Sequence, residues 1–257
     1  MSYPIFPDKY KLPALLTAEH MIEFRRKHGL GNLPAPNGAV LCLYKGVMKH
    51  FAWKYPSQHV NGFLGDIFLL KRTNGKVGVL GNFGIGAPAL TSIAEEMIAW
   101  GTKRVVIMSL AGGLQPDLEP GSVVLCNRAI RDEGTSYHYL PPAKDVEASA
   151  TLVTAISQTL KRRGLAHSIG ATWSTDAPYH ETREEADYFQ QEGVKAVDME
   201  SAGLFAVGEV RNIETASVFV IGDSLAGPRW SAPPDMHVLH QRLKTLLDAL
   251  IDVLSKA

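Results

Sequence analysis

Cysteine is scarce: Cys42 and Cys126 are the only two in 257 residues. They lie far apart, each inside an apolar, strand-like run. A disulfide framework is therefore excluded, and reduced core thiols are expected. An excess of one charge is also lacking, since 26 basic and 26 acidic residues balance to zero. Without a basic stripe or charge block, neither nucleic acid nor an anionic membrane is an expected partner. Long hydrophobic runs are missing too; stretches such as Val105 to Leu114 are too short to span a bilayer. The opening residues, MSYPIFPDKYKLP, lack the basic and apolar regions of a secretory signal, so a cytoplasmic location is expected. The nine histidines include no His-Glu-x-x-His. His237 and His240 are spaced to share a helix face but have no evident third ligand, so no metal is expected.

What is present is an alternation of strand-like and helix-like segments. Runs rich in valine and isoleucine predict strands at 39–44, 65–71, 76–80, 104–110, 122–127, 168–173, 195–198 and 215–221. Between them, PALTSIAEEMIAWG spaces Leu90, Ile93, Ala94, Met97 and Ile98 along one face, with Pro88 near its start and Gly101 at its end. Helices are likewise predicted at 18–27, 146–163, 184–191, 200–210 and 235–254. This order implies βαβ units and a mainly parallel or mixed sheet covered by helices on both faces. Residues 1–38, rich in proline, read as an arm or extension, and 39–257 as one α/β domain.

Several short stretches carry possible chemistry. GNFGIGAP, 81–88, follows a strand and opens a helix, where glycines admit a ligand to the backbone and the helix start favours an anion. Its spacing is not that of the dinucleotide fingerprint, and no ribose-binding acid follows at the expected distance. GDSL, 222–225, matches a short esterase signature around Ser224. No histidine and acid complete a triad, because Asp235 and His237 are spaced one residue too closely. RDEGTSYHYLPP, 131–142, is dense in hydrogen-bonding and aromatic groups and reads as a pocket wall or subunit contact. VDMESAGLF, 197–205, sets Asp198 and Glu200 inside an apolar run, where an ionised carboxylate is costly unless partnered. On its own Glu200 is also compatible with a simple acid at a helix N-terminus.

Four blocks, GNFGIGAP, AGGLQPDLEPGSVVLCNRAIRDEGTSYHYLPP, TDAPYHET and VDMESAGLFAVGEV, resemble in this order the nucleoside phosphorylase family, which includes uridine and purine nucleoside phosphorylases. The resemblance covers roughly residues 76–224. It implies a single-domain, three-layer α/β fold whose twisted mixed sheet is partly closed toward a barrel. It also implies a nucleoside-cleaving enzyme without organic cofactor, with phosphate as co-substrate, assembled as a homo-oligomer (a dimer or trimer of dimers). Cleaving the C1′–N bond builds positive charge on the sugar, as in other glycosyl transfers. By the resemblance, Glu200 bridges the ribose hydroxyls and Met199 packs against the sugar face. Asp198 is expected to be structural. Asp223, if held neutral by burial, would protonate a departing purine. Tyr179 and Pro178 fall where the family lines the base pocket. TDAPYHET and DEGTSYHY look closer to the uridine branch, so a purine and a uridine-like base both stay open, as do ribose and deoxyribose.

The family's phosphate site is poorly matched. Its first arginine-bearing turn has no counterpart in LPAPNGAVLCLYKG. A second arginine, from a neighbouring subunit, would fall near Asn61. The third part reads IMSLAG, with Ile107 in place of arginine and Leu110 in place of a hydroxyl, and isoleucine cannot imitate a bidentate fork. Gly84, Gly86 and Ser109 are expected to cradle an anion, with Gly112 in the same run. Lys45, Lys49, Arg128 and Arg131 are the candidates for a rebuilt site. Three functions follow: a phosphorylase, a nucleosidase in which water replaces phosphate, and a non-catalytic nucleoside binder.

Overall fold

The computed structural model describes residues 4–30, 32–61, 63–233 and 235–256. The first half of the chain gives α1 (Ala18–Arg25), β1 (Gly38–Cys42), α2 (Lys45–Lys54), β2 (Ser57–Val60), β3 (Asp66–Leu70), β4 (Val77–Gly81) and α3 (Ala87–Trp100). The long strands β5 (Arg104–Gly113) and β6 (Val123–Asp132) follow, then β7 (Asp145–Glu147) and α4 (Ala150–Arg162). The last part holds β8 (Ser168–Thr175), α5 (Arg183–Gln191), β9 (Ala196–Asp198), α6 (Ser201–Arg211), β10 (Glu214–Ser224) and α7 (Met236–Ser255).

Strand β5 organises the sheet. Along one edge it pairs in parallel with β10. Along its other edge Arg104–Met108 pair with β1, and Gly112–Gly113 pair with β9. From β10 the pairing runs on through β6, β8 and β9 and so returns to β5. Five strands thus close a ring, while β1, β4, β3 and β2 extend as an open sheet from the first half of β5. Closure requires strands to bend, and the register shifts at Cys126/Arg128 and Ile221/Asp223 supply that bend. The expected mixed, partly barrel-like α/β fold is present. The helices form two packed groups, α1 with α3 and α6, and α2 with α7 and α4. No helix among the described residues is long and apolar enough to cross a membrane.

Differences from the sequence reading have local causes. Strands β5, β6 and β10 run several residues further than expected, since ring closure gives their ends pairing partners. Residues 145–147, of which 146 and 147 were expected to begin a helix, instead pair with Arg128–Ile130 of β6. The helix starts only after Ser149, whose hydroxyl accepts the Thr215 amide at 2.8 Å. Helix α2 and strand β2 were not anticipated. Ahead of β1, Ile22 and Leu30 join the main core, and Arg25 forms a two-bond pair with Glu96 at 2.8 and 2.7 Å. Cys42 and Cys126 are buried free thiols, as expected.

Candidate active site

The junction of β9 and α6 places two carboxylates side by side, and each has a different set of partners. Asp198 ends β9 and is 6 % exposed. Its Oδ1 accepts the hydroxyls of Ser174 at 2.7 Å and Thr172 at 3.1 Å. Its Oδ2 accepts the amides of Ser201 at 2.7 Å and Glu200 at 3.0 Å. The Ser174 hydroxyl in turn accepts the Ala202 amide at 3.0 Å. Helix α6 would otherwise begin with unpaired N–H groups inside the core. Asp198 and Ser174 satisfy them, and these four contacts of the Asp198 carboxylate are spent on holding β8 and the start of α6.

Glu200 is equally buried but is oriented differently. Its Oε1 accepts the Gly86 amide at 2.7 Å, and its Oε2 accepts the Met199 amide at 3.2 Å. A carboxylate offers about four acceptor positions, so two remain for hydroxyl donors. Burial, with the charge of Asp198 next to it, pushes the Glu200 carboxyl up to about 7, against the pull of the two amides. Gly86 sits at φ +89°, a conformation side chains rarely adopt, and this aims its N–H at Glu200.

Glu200 lines a cavity of about 690 Å³, within the range of small-ligand sites. Met199, Ser109, Gly112, Pro178, Tyr179 and Asp223 line it as well. The wall beside Gly112 is tight: a Cβ there would lie 2.8 Å from Val197 Cγ1 and 2.7 Å from Leu225 Cδ1. The bulge after Ile221 places Asp223 opposite Gly112, and Asp223 Oδ2 accepts the Trp230 indole N–H at 2.5 Å. Asp223 is only partly buried, unlike the enclosed acid envisaged from the sequence. Pro178 and Tyr179 stand at the rim, the tyrosine fully exposed.

The cavity wall also holds residues to which the sequence reading gave no role, among them Glu181, Trp230, Leu225 and Ile85. Glu181 lies inside the quoted block TDAPYHET, but an acid just before the Thr182 cap of α5 reads as a surface group. Leu225 closes the GDSL stretch, which was read only around Ser224, and Trp230 comes from a segment with no motif. Arg183 fixes that segment by donating to the carbonyls of Leu225, at 2.7 Å, and Gly227.

The expected anion cradle is placed differently. The Gly86 amide is spent on Glu200, and Gly84 is not among the cavity-lining residues, although Ile85 between the two glycines is. Ser109 remains in the wall. Ile107 is fully buried in the core. None of the four basic candidates lines the cavity: Lys45 and Lys49 are exposed on α2, and Arg128 pairs with Asp145 at 2.8 Å. Arg131 is buried and holds the 131–142 loop by donating to Ser136 Oγ at 2.9 Å and to the Pro141 carbonyl at 2.7 Å. Ser224 of the GDSL stretch accepts the Ala226 amide at 3.2 Å, a turn contact. A larger hollow, about 940 Å³, lies under residues 6–21 and contains none of the expected site residues.

A ring-closed mixed sheet with a buried glutamate at the start of a small-residue helix defines a class, and comparison with known proteins agrees. Residues 44–252 match the phosphorylase superfamily, and the chain belongs to it. Among its relatives is a uridine phosphorylase of Treponema pallidum, 28% identical over 65% of this chain and 69% of the relative. Another is a DeoD-type purine nucleoside phosphorylase of Exiguobacterium sibiricum, 25% identical over 74% of this chain and 87% of the relative. The fold is shared with the crystal structure of an AMP nucleosidase from Bacteroides thetaiotaomicron, at a TM-score of 0.73 and 23% identity over 92% of this chain and 97% of that one.

Proposed function

We propose that this protein cleaves the N-glycosidic bond of a purine or uridine-like nucleoside, with Glu200 holding the sugar. One observation carries the reading: Glu200 is buried at a cavity wall, fixed by two backbone amides, with acceptor capacity left over. Two sugar hydroxyls would fill that capacity. Their hydrogen bonds favour the charged carboxylate, and the carboxylate stabilises the positive charge that grows on the furanose ring. Met199 packs against the sugar, while Tyr179, Pro178, Asp223 and Trp230 surround the base.

Phosphate is the acceptor implied by the names of the sequence relatives, with Ser109 as its nearest side-chain donor here. A second reading, with water as acceptor, is supported by a specific observation. The cavity lining carries Glu181, Asp198, Glu200 and Asp223 and no lysine or arginine. A phosphate dianion about 4 Å from one uncompensated carboxylate is disfavoured by several kcal/mol at an effective dielectric near 20. Water carries no such penalty. A homo-oligomer accompanies either reading, since Ile85, Tyr179 and Trp230 leave an apolar rim exposed on the single chain; light scattering on the purified protein reads its mass directly.

Purified protein incubated with purine and pyrimidine nucleosides, with and without phosphate, tests the proposal. Release of free base is expected. Dependence on phosphate, with ribose 1-phosphate formed, selects phosphorolysis, and equal release without phosphate selects hydrolysis. Glu200→Gln should lower turnover by about 10²–10³-fold. No release from any nucleoside, together with stabilisation by one of them on heating, would establish a binder instead.

A further inference from the structure

We propose that Glu181, rather than Asp223, hands the departing base its proton, and that Asp223 serves as the fixed anion beside it. This rests on the reading that the cavity cleaves nucleosides. Both acids line the cavity, but they come from different elements and have different partners. Asp223, on β10, is already engaged as an acceptor, with Trp230 Nε1 at 2.5 Å from Oδ2. Glu181, in the loop between β8 and α5, makes no hydrogen bond to any described residue, so both its oxygens are open to a ligand.

The surroundings of Glu181 suit a proton donor. It is half-buried, and burial together with the negative charges of Asp223 and then Glu185 pushes its carboxyl up to about 7. Glu185 is itself tied to the amide and hydroxyl of Thr182, at 3.0 and 2.7 Å. Arg183, the nearest cation in sequence, turns its guanidinium to the Leu225 and Gly227 carbonyls and to Asp187. Trp230, from the segment across the cavity, is neutral. Among the described residues the charges that act on Glu181 are those of two anions, Asp223 and Glu185, and with burial they favour the protonated acid near neutral pH, where a general acid works best. Two neighbouring acids with opposite protonation states are a familiar way to divide such roles.

The step balances simply. As the C1′–N bond breaks, its electron pair leaves with the base, and the Glu181 proton moves to an acceptor atom on that base. The incoming phosphate or water oxygen bonds to C1′ and releases a proton to solvent. The Glu181 carboxylate then recovers its proton from solvent, and the base departs neutral.

The test compares wild type, Glu181→Gln and Asp223→Asn on a nucleoside that the wild type cleaves and on 4-nitrophenyl β-ribofuranoside, whose phenolate leaves without a proton. Glu181→Gln should lower kcat on the nucleoside by about 10²–10⁴-fold. On the nitrophenyl riboside the loss should stay below about tenfold, and the fall of kcat above neutral pH should vanish. Asp223→Asn should move that fall to lower pH, because the neighbouring anion is gone. Full activity of Glu181→Gln on the nucleoside, equal losses on both substrates, or a basic limb that disappears only in Asp223→Asn would overturn the assignment. Wild-type protein that releases no base at all would remove the proposed function itself, a separate result.

Discussion

Glu200 and Asp223 line one cavity, yet backbone amides inside the core hold the first, and a largely exposed indole holds the second. At the Glu200 end the two carboxylates are held by neighbouring elements: Asp198 of β9 and Ser174 of β8 cap α6, and the turn before α3 supplies the Gly86 amide. At the Asp223 end a rim tryptophan is its hydrogen-bond partner, and the wall beside it holds a rim tyrosine and a glutamate that bonds to no described residue. The difference teaches where precision is built. A group that meets charge developing on the sugar gains from being fixed in advance. Around Asp223, at the end of β10, the wall is completed by the loop residues Pro178, Tyr179, Glu181 and Trp230, and loop residues change without disturbing the core.

Substitutions can break this contrast, in decreasing order of effect. Asp198→Ala leaves the Ser174 hydroxyl and the amides of Glu200 and Ser201 without their acceptor in the core and should cost about 4 kcal/mol, read by urea unfolding. Titrating Glu200 gives the next largest effect. Its folded-state pKa, about 7, lies above its ordinary 4.5, so the stability tied to its bound proton is full at low pH and lost as pH rises through 7. Glu200→Gln does not titrate there. Its unfolding free energy should therefore rise relative to wild type by about 3 kcal/mol between roughly pH 4.5 and 8. A flat difference would mean that Glu200 is not held in a desolvated site.

Gly112→Ala lies at the joint of the two ends, where the added methyl meets both Val197 and Leu225. Overpacking there should cost about 2 kcal/mol, seen as a lower Tm. Trp230→Phe, at the exposed end, should change stability by less than about 0.5 kcal/mol, with its effect confined to KM. If Trp230→Phe destabilised the fold as much as Asp198→Ala, the contrast between the two ends would fail.

The same contrast explains what was legible in the sequence. Strand β5 and helix α3 were readable because their apolar spacing and boundary residues serve the core directly. Met199, Glu200 and Asp223 were identified through motif resemblance, and the fold brings them to one cavity from segments distant in the chain. Glu181 was missed because a lone acid before a capped helix reads as a charge that water solvates. Helix α2 was missed because Tyr44 makes no side-chain cap and Gly46 interrupts its first turn. Strand β7 was invisible because three residues become a strand only when β6 continues far enough to pair with them. Local patterns record what a segment does for its own backbone; a partner supplied from elsewhere leaves little trace.

The most direct measurement of the central claim is a cycle of kcat/KM values for a ribonucleoside and its 2′-deoxy and 3′-deoxy analogues, on wild type and on Glu200→Gln. If Glu200 grips the sugar hydroxyls, removing one should cost wild type about tenfold or more and the variant under about threefold, a coupling of about 1 kcal/mol. Equal losses in both proteins would place the sugar hydroxyls out of reach of Glu200 and contradict the account.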